Sequence, residues 1–278
     1  MTRHHWVPQS LLAHFTKSGT KRDRLWSYSK TSETFEAVRA QDVCYADDLY
    51  GLDEQSIQRA LEQGHVLGPD GMEQMLARDV DKRALRVIRT LNYHSQPVDR
   101  DDLSFVVSYM ATQVVRTPYY LGRLAEEAGG DVRYSDLLLS ALDDQPKVFE
   151  GLHERRWTLW KPKRRTGYFF ISDNPVVLST ESGAPLDLLP ANFTKADSVV
   201  SMPLGKRLMI SGAFDGEHAF TYEPGTDFVA FLNSLSLAGC CLHLYGPTPH
   251  LTKLQDGWPV SVWHRTVAER QEATAPPG

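Results

Sequence analysis

The chain has 278 residues, 41% hydrophobic and 23% charged, a composition that supports a full hydrophobic core and excludes the disordered and fibrous classes. Its 30 Lys and Arg against 35 Asp and Glu leave a net charge of -5, so no general basic field would draw in a nucleic acid or an anionic membrane. No apolar stretch approaches the roughly 20 residues that cross a bilayer, the first residues carry no apolar leader core, and Cys44, Cys240 and Cys241 form neither a CxxC pair nor a disulfide framework, so a cytoplasmic protein without a membrane span is expected.

From Val7 to Phe15 the apolar residues Val7, Leu11, Leu12 and Phe15 fall at helical spacing, with Pro8 acceptable in a first turn. The β-prone runs Arg24–Ser29 and Thr34–Val38 flank Lys30-Thr31-Ser32-Glu33 and predict a hairpin. Met72, Leu76, Val80, Ala84, Val87, Ile88 and Leu91 repeat at three and four, the stripe of an amphipathic helix on which Arg83 projects near the apolar face. Asp99-x-x-Asp102 reads as the capping start of the next helix, with Leu103, Val106, Val107, Met110 and Val114 inward and a stop before Pro118. A further helix is predicted from Tyr134 to Leu142, after the Gly129-Gly130 break.

The second half changes character. Arg156–Trp160 and Gly167–Ile171, joined through Lys161 to Thr166, predict a β-hairpin with a basic tip. Ser198–Met202, Arg207–Ser211 and Gly239–Tyr245 are further strand candidates, with a helix from about Asp227 to Leu237 before the last. The expected fold class is α+β, one domain over residues 1–267 with a helical half first and a mainly antiparallel sheet after, followed by a frayed tail at 268–278.

Several residues are able to carry chemistry. His4 and His5 precede a helix, where free backbone N–H groups favour an anion and imidazoles exchange protons or bind metal; the alternative is a disordered or surface-packed terminus. Tyr109, Gln113 and Arg116 share one helix flank and can hold a phosphate or carboxylate, unless Arg116 caps the helix or pairs with Asp101 or Asp102. Ser172-Asp173-Asn174-Pro175 follows an aromatic strand and reads either as a catalytic or metal-binding turn or as a structural Asx turn. Arg155, Arg156, Lys161, Lys163, Arg164 and Arg165 concentrate charge around the predicted hairpin, a nucleic-acid patch or plain edge protection. There is no GxxxxGK[ST], GxGxxG, GxSxG or HExxH, which takes support from the corresponding nucleotide-binding, hydrolase and zincin classes.

His4-His5-x-Val7-Pro8-x-x-x-Leu12-x-x-Phe15, Arg116-Thr117-Pro118, Ser172-Asp173-Asn174-Pro175, Pro203-Leu204 and Asn233 resemble, in order and over almost the whole chain, the bacterial domain-of-unknown-function family numbered 4238. The chain departs from that pattern at Ser10 and Leu11, where aromatics are common, and at Asp81, where a longer Glu is expected. The resemblance implies that His4, His5, Gln113, Arg116, Asp173 and Asn233 form one site. His4, His5 and Asp173 would then suffice for a divalent metal ion, with Arg116 stabilising charge and Tyr109, Gln113, Asn174 and Asn233 binding substrate.

The leading expectation is a metal-assisted hydrolase of nuclease or phosphodiesterase type, acting on a small anionic or phosphoester substrate, with Lys163, Arg164 and Arg165 contacting nucleic acid if that is the substrate. Two other readings stay open. One is a non-catalytic small-anion sensor or interaction module, and the other a non-haem iron oxygenase.

Overall fold

A computed structural model of the chain describes residues 3–62, 71–93, 99–129, 132–163, 166–215 and 220–254. The expected tail at 268–278 and the side chains of Arg164 and Arg165 lie outside the described residues. The fold is α+β, as the alternation of periods implies, but strands come first rather than a helical half.

The N-terminal part contains β1 (Arg3–His5), α1 (Gln9–Ala13), β2 (Arg24–Ser29), β3 (Phe35–Arg39) and β4 (Tyr45–Asp47). The predicted hairpin is β2 and β3, antiparallel with Trp26 opposite Ala37. Next come α2 (Glu54–Glu62), then α3 (Gly71–Met75) running through a π-helical stretch, Leu76–Asp81, into α4 (Lys82–Tyr93). The predicted amphipathic helix is therefore present with one loosened section. Arg83, expected near the buried face, is exposed and stacks on Phe105 at 4.2 Å.

α5 (Arg100–Val115) starts where the Asp99 side chain accepts the Asp101 N–H, and α6 (Pro118–Ala128) starts at Thr117, whose hydroxyl accepts the Tyr120 N–H. Pro118 suits a first helical turn, so the stop of one helix is the start of the next. α7 (Tyr134–His153) continues well past the predicted end at Leu142, carrying Pro146 in its interior. Proline removes one helical hydrogen bond at a cost of ~3 kcal/mol, which the buried face of Leu137, Leu138, Ala141, Val148 and Leu152 offsets.

The second half holds β5 (Arg156–Trp160), β6 (Ile171–Ser172), β7 (Val177–Thr180), β8 (Pro185–Leu186), β9 (Ser198–Gly205), β10 (Leu208–Ala213), β11 (Phe220–Tyr222), α8 (Thr226–Gly239) and β12 (His243–Gly246). A six-stranded sheet has the order β11-β5-β10-β9-β7-β8, antiparallel except for β11 against β5. Its inner strands are buried on both faces. Leu159, Leu178, Val200, Met202 and Ile210 join the core formed with α5 and α7, whereas their neighbours Trp160, Val177, Val199 and Met209 pack with Phe228, Phe231 and Leu232 of α8.

The second sheet has the order β3-β2-β12-β6 and explains why strands open the chain: β2 pairs with β12, Tyr28 opposite Leu244, closing the molecule across more than 200 residues. Such pairing leaves no trace in local periodicity. The same partnership overturns the predicted hairpin of Arg156–Trp160 with Gly167–Ile171. β5 lies between β10 and β11, whereas only Ile171 and Ser172 form a strand, against β12 in the other sheet. Phe169, Phe170 and Ile171 each enter a different hydrophobic cluster, so the run cannot lie flat in one ladder. No described helix is long and apolar enough to cross a membrane.

Candidate functional site

Arg116 closes the C-terminal end of α5 and is 4% exposed. Asp101 and Asp102 sit in the first turn of the same helix, roughly 22 Å away at 1.5 Å per residue, and neither pairs with it. Its carboxylate partner is Asp81, the last residue of the π-helical stretch, with Nη1 to Oδ1 at 2.9 Å. Nη2 donates to the His5 carbonyl at 2.8 Å, and Nε to the Tyr50 hydroxyl at 3.3 Å. That hydroxyl donates in turn to the Arg116 carbonyl at 2.9 Å. The helix end, the loop after β4 and the N-terminal strand are thereby tied to one guanidinium.

Electrostatics follow from this burial. Desolvation works against the Arg116 cation, but Tyr50 and Asp81 outweigh it and raise its pKa. Burial holds the Asp81 carboxyl above the usual carboxylate range, with Arg116 opposing it. Burial also pushes the Tyr109 phenol up, and the Asp81 charge adds to the effect. Tyr109 and Gln113, predicted on the Arg116 flank, are both buried with it. Neither Gln113 amide atom has a partner among the described residues, an unusual state for an atom pair fully out of water.

Between the π-helical stretch, α5 and α7 lies a cavity of about 310 Å³. Leu76 and Val80 wall it on one side, Phe105 and Val115 on a second, and Leu138 and Leu142 on a third. Polar groups enter at Tyr50, Ser108, Tyr109, Thr112, Gln145 and Arg116. π-helical sections are uncommon and concentrate at functional sites, because the widened turn re-aims the residues on it. Here the stretch supplies both apolar wall and the Arg116 counter-ion.

The residues expected as metal ligands are placed differently. Successive strand residues face opposite ways. His4 is buried, stacks on Tyr50 and accepts the Tyr50 N–H at Nδ1, 3.0 Å, while His5 meets the Gln41 carbonyl at 3.2 Å. Burial lowers the His5 pKa. The Asp173 carboxylate accepts three backbone N–H groups, from Cys241 at 2.8 Å, Leu242 at 2.7 Å and His243 at 3.1 Å. It holds the chain between α8 and β12, the work of a structural turn. The N-terminus does reach this turn, but through Trp6, whose indole donates to the Asp173 carbonyl at 2.8 Å. Among the described residues no three His, Cys, Asp or Glu side chains are grouped to hold a metal ion.

Asn174 donates to the Gly239 carbonyl, and Asn233 accepts the Phe170 N–H while donating to the carbonyls of Tyr168 and Thr252. Both amides anchor backbone around α8, and neither has a hydrogen bond to the Arg116 cluster among the described residues. Of the basic group, Arg155 is fully buried rather than on a surface, and Lys163 is exposed and paired with Glu223 at 2.8 Å. Lys161 to Thr166 joins strands of different sheets and is no hairpin tip.

Tyr50 and the far end of the α7 wall were not legible in sequence, although Leu138, Ala141 and Leu142 fall inside the predicted helix. Tyr50 lies in an irregular loop two residues after Asp48, which has a φ of 53°, and the part of the wall at Gln145 and Pro146 follows the predicted helix end. Asp81 carried one signal, its place in the resemblance where a Glu is expected.

Comparison with curated proteins and with solved structures finds no match. A family model described as "Protein of unknown function (DUF4238)" matches residues 3–248, nearly the whole described chain, and the protein belongs to that family.

Proposed function

We propose that the protein binds a small amphipathic molecule in the cavity between the π-helical stretch, α5 and α7, with Arg116 receiving its polar end. The observation that carries this reading is the combination of an apolar chamber with one buried, fixed guanidinium and two tyrosines on its walls. Ligand sites are mostly apolar with a few placed polar groups, and perturbed titratable groups concentrate there. Metal-assisted phosphoester hydrolysis asks instead for His4, His5 and Asp173 around one ion, and Asp173 spends its carboxylate on three backbone N–H groups. Binding is therefore the reading that the geometry favours.

A ligand that binds only the folded state raises stability by about 2.7 kcal/mol at a hundredfold excess over its Kd. With 1-octanol as probe, the melting temperature of the full chain is expected to rise in a saturable way. Ala141→Phe places a ring in the cavity wall and is expected to abolish that rise. An equal rise in both proteins, or none in the wild type, contradicts the proposal.

A further inference from the structure

We infer that the ligand of this cavity is neutral at its polar end, a hydrogen-bond acceptor such as an alcohol, ketone or ester on an aliphatic chain, rather than a carboxylate or phosphate. This deepens the binding reading above and rests on it. Three observations carry it.

The first is charge balance. Arg116 is the only charged side chain lining the cavity among the described residues, and on its own it would select an anion. Its charge is already met by Asp81 at 2.9 Å, held 15% exposed at the end of the π-helical stretch. An anionic head entering the chamber would find no uncompensated cation and would lie near the Asp81 carboxylate. Burying an unpaired charge costs far more than burying a hydrogen-bonded neutral group. The other groups facing the pair are the hydroxyls of Tyr50 and Tyr109, with the His5 imidazole near Arg116 and Lys21 acting on Asp81 from the loop before β2.

The second is donor supply. A guanidinium carries five N–H groups, and three are directed to Asp81, the His5 carbonyl and the Tyr50 hydroxyl. The remainder can donate to a neutral oxygen without disturbing the ion pair. The third is size. A volume of about 310 Å³ lies at the small end of the roughly 300–1,000 Å³ of small-molecule sites. That accommodates a medium-length chain with one polar end.

The test compares 1-octanol, methyl octanoate and sodium octanoate on the full chain by titration calorimetry at neutral pH, in the wild type and in Asp81→Asn. The wild type is expected to bind octanol and the ester at least tenfold tighter than octanoate. Removing the Asp81 charge leaves Arg116 uncompensated, so octanoate is expected to gain tenfold or more relative to octanol in Asp81→Asn. Octanoate binding to the wild type as tightly as octanol would overturn the neutral-head inference and leave the binding reading intact. No binding of any probe to the wild type would overturn both. Should Asp81→Asn fail to fold, the wild-type ratio of methyl octanoate to octanoate decides the matter alone, since the two differ mainly in charge.

Discussion

Arg155→Met is expected to destabilise the protein by about 3–5 kcal/mol, because several buried acceptors lose their donor at about 1–3 kcal/mol each. Arg155 has no exposed surface, and all five of its N–H groups are taken by oxygens. Nε donates to the Gly151 carbonyl, Nη1 to the carbonyls of Ser198 and Gly212, and Nη2 to the Phe193 carbonyl and the Ser198 hydroxyl. One side chain thus joins the end of α7, the turn at Pro190–Thr194, the start of β9 and the end of β10. None of these acceptors is a carboxylate, and desolvation lowers the pKa to about 10 while leaving the group charged at neutral pH.

Close approach is built into this junction. A Cβ on Gly151 would stand 2.7 Å from the Phe193 Cβ, so only glycine lets the helix come near enough for Nε to reach its carbonyl. Methionine fills much of the volume but donates nothing, leaving four carbonyls and a hydroxyl without their donor. Urea titration checks the loss. A change below about 1 kcal/mol would show that the surrounding carbonyls find other partners.

Acidification from about pH 6.5 to about pH 4 is expected to cost about 3 kcal/mol of stability through His14. His14 directly follows α1 and is largely buried beside Gly205 at the end of β9, its carbonyl accepting the Lys206 N–H; its Nε2 has no partner among the described residues. Burial, with Arg89 and Lys206 adding repulsion, pushes its pKa from 6.5 down to about 4. The sign follows from the proton count. Between these two values the unfolded chain binds a proton that the folded chain refuses, so stability is complete above about pH 6.5 and falls by about 1.4 kcal/mol per unit below it.

His5, also lowered by burial, adds in the same direction. Asp23, Asp53 and Asp136 are held below their ordinary 3.8 by hydrogen bonds from Ser18, Ser56 and Arg59, so their contributions fade only below about pH 4. Chemical denaturation of the wild type and His14→Leu at pH 6.5 and pH 4 separates the terms. The wild type is expected to lose markedly more than the variant, and equal losses would contradict the assignment.

Local chemistry was legible wherever the residues that determine it are neighbours in sequence. Asp99 starts its helix as its side chain dictates, the β2–β3 hairpin forms at its turn, and the flank of Tyr109, Gln113 and Arg116 is buried together, whereas Pro118, read only as a stop, also opens α6 behind the Thr117 cap. The Asp173 turn was open between a metal ligand and an Asx-type structural turn, and the three amides it accepts come from a segment about 70 residues later. Nothing near Asp173 in sequence announces them.

The failures share that cause. β2 finds its partner in β12 at the far end of the chain, which is why a helical half was expected where strands stand. Arg155 reads in sequence like its solvent-exposed neighbours, because burial of an arginine is decided by distant carbonyls rather than by hydrophobic period. α7 runs through Pro146 because its packed face outweighs the local penalty, and so the end of the cavity wall at Gln145 and Pro146 was hidden behind an apparent helix end.

The most direct measurement is a methyl-resolved NMR titration of the full chain with 1-octanol. Binding in the cavity predicts saturable shifts at Leu76, Val80, Val115, Leu138 and Leu142, with Val199, Val229 and Leu232 of the α8 cluster unmoved. Shifts confined to the α8 cluster, or none that saturate at the five cavity residues, would contradict a ligand site at Arg116.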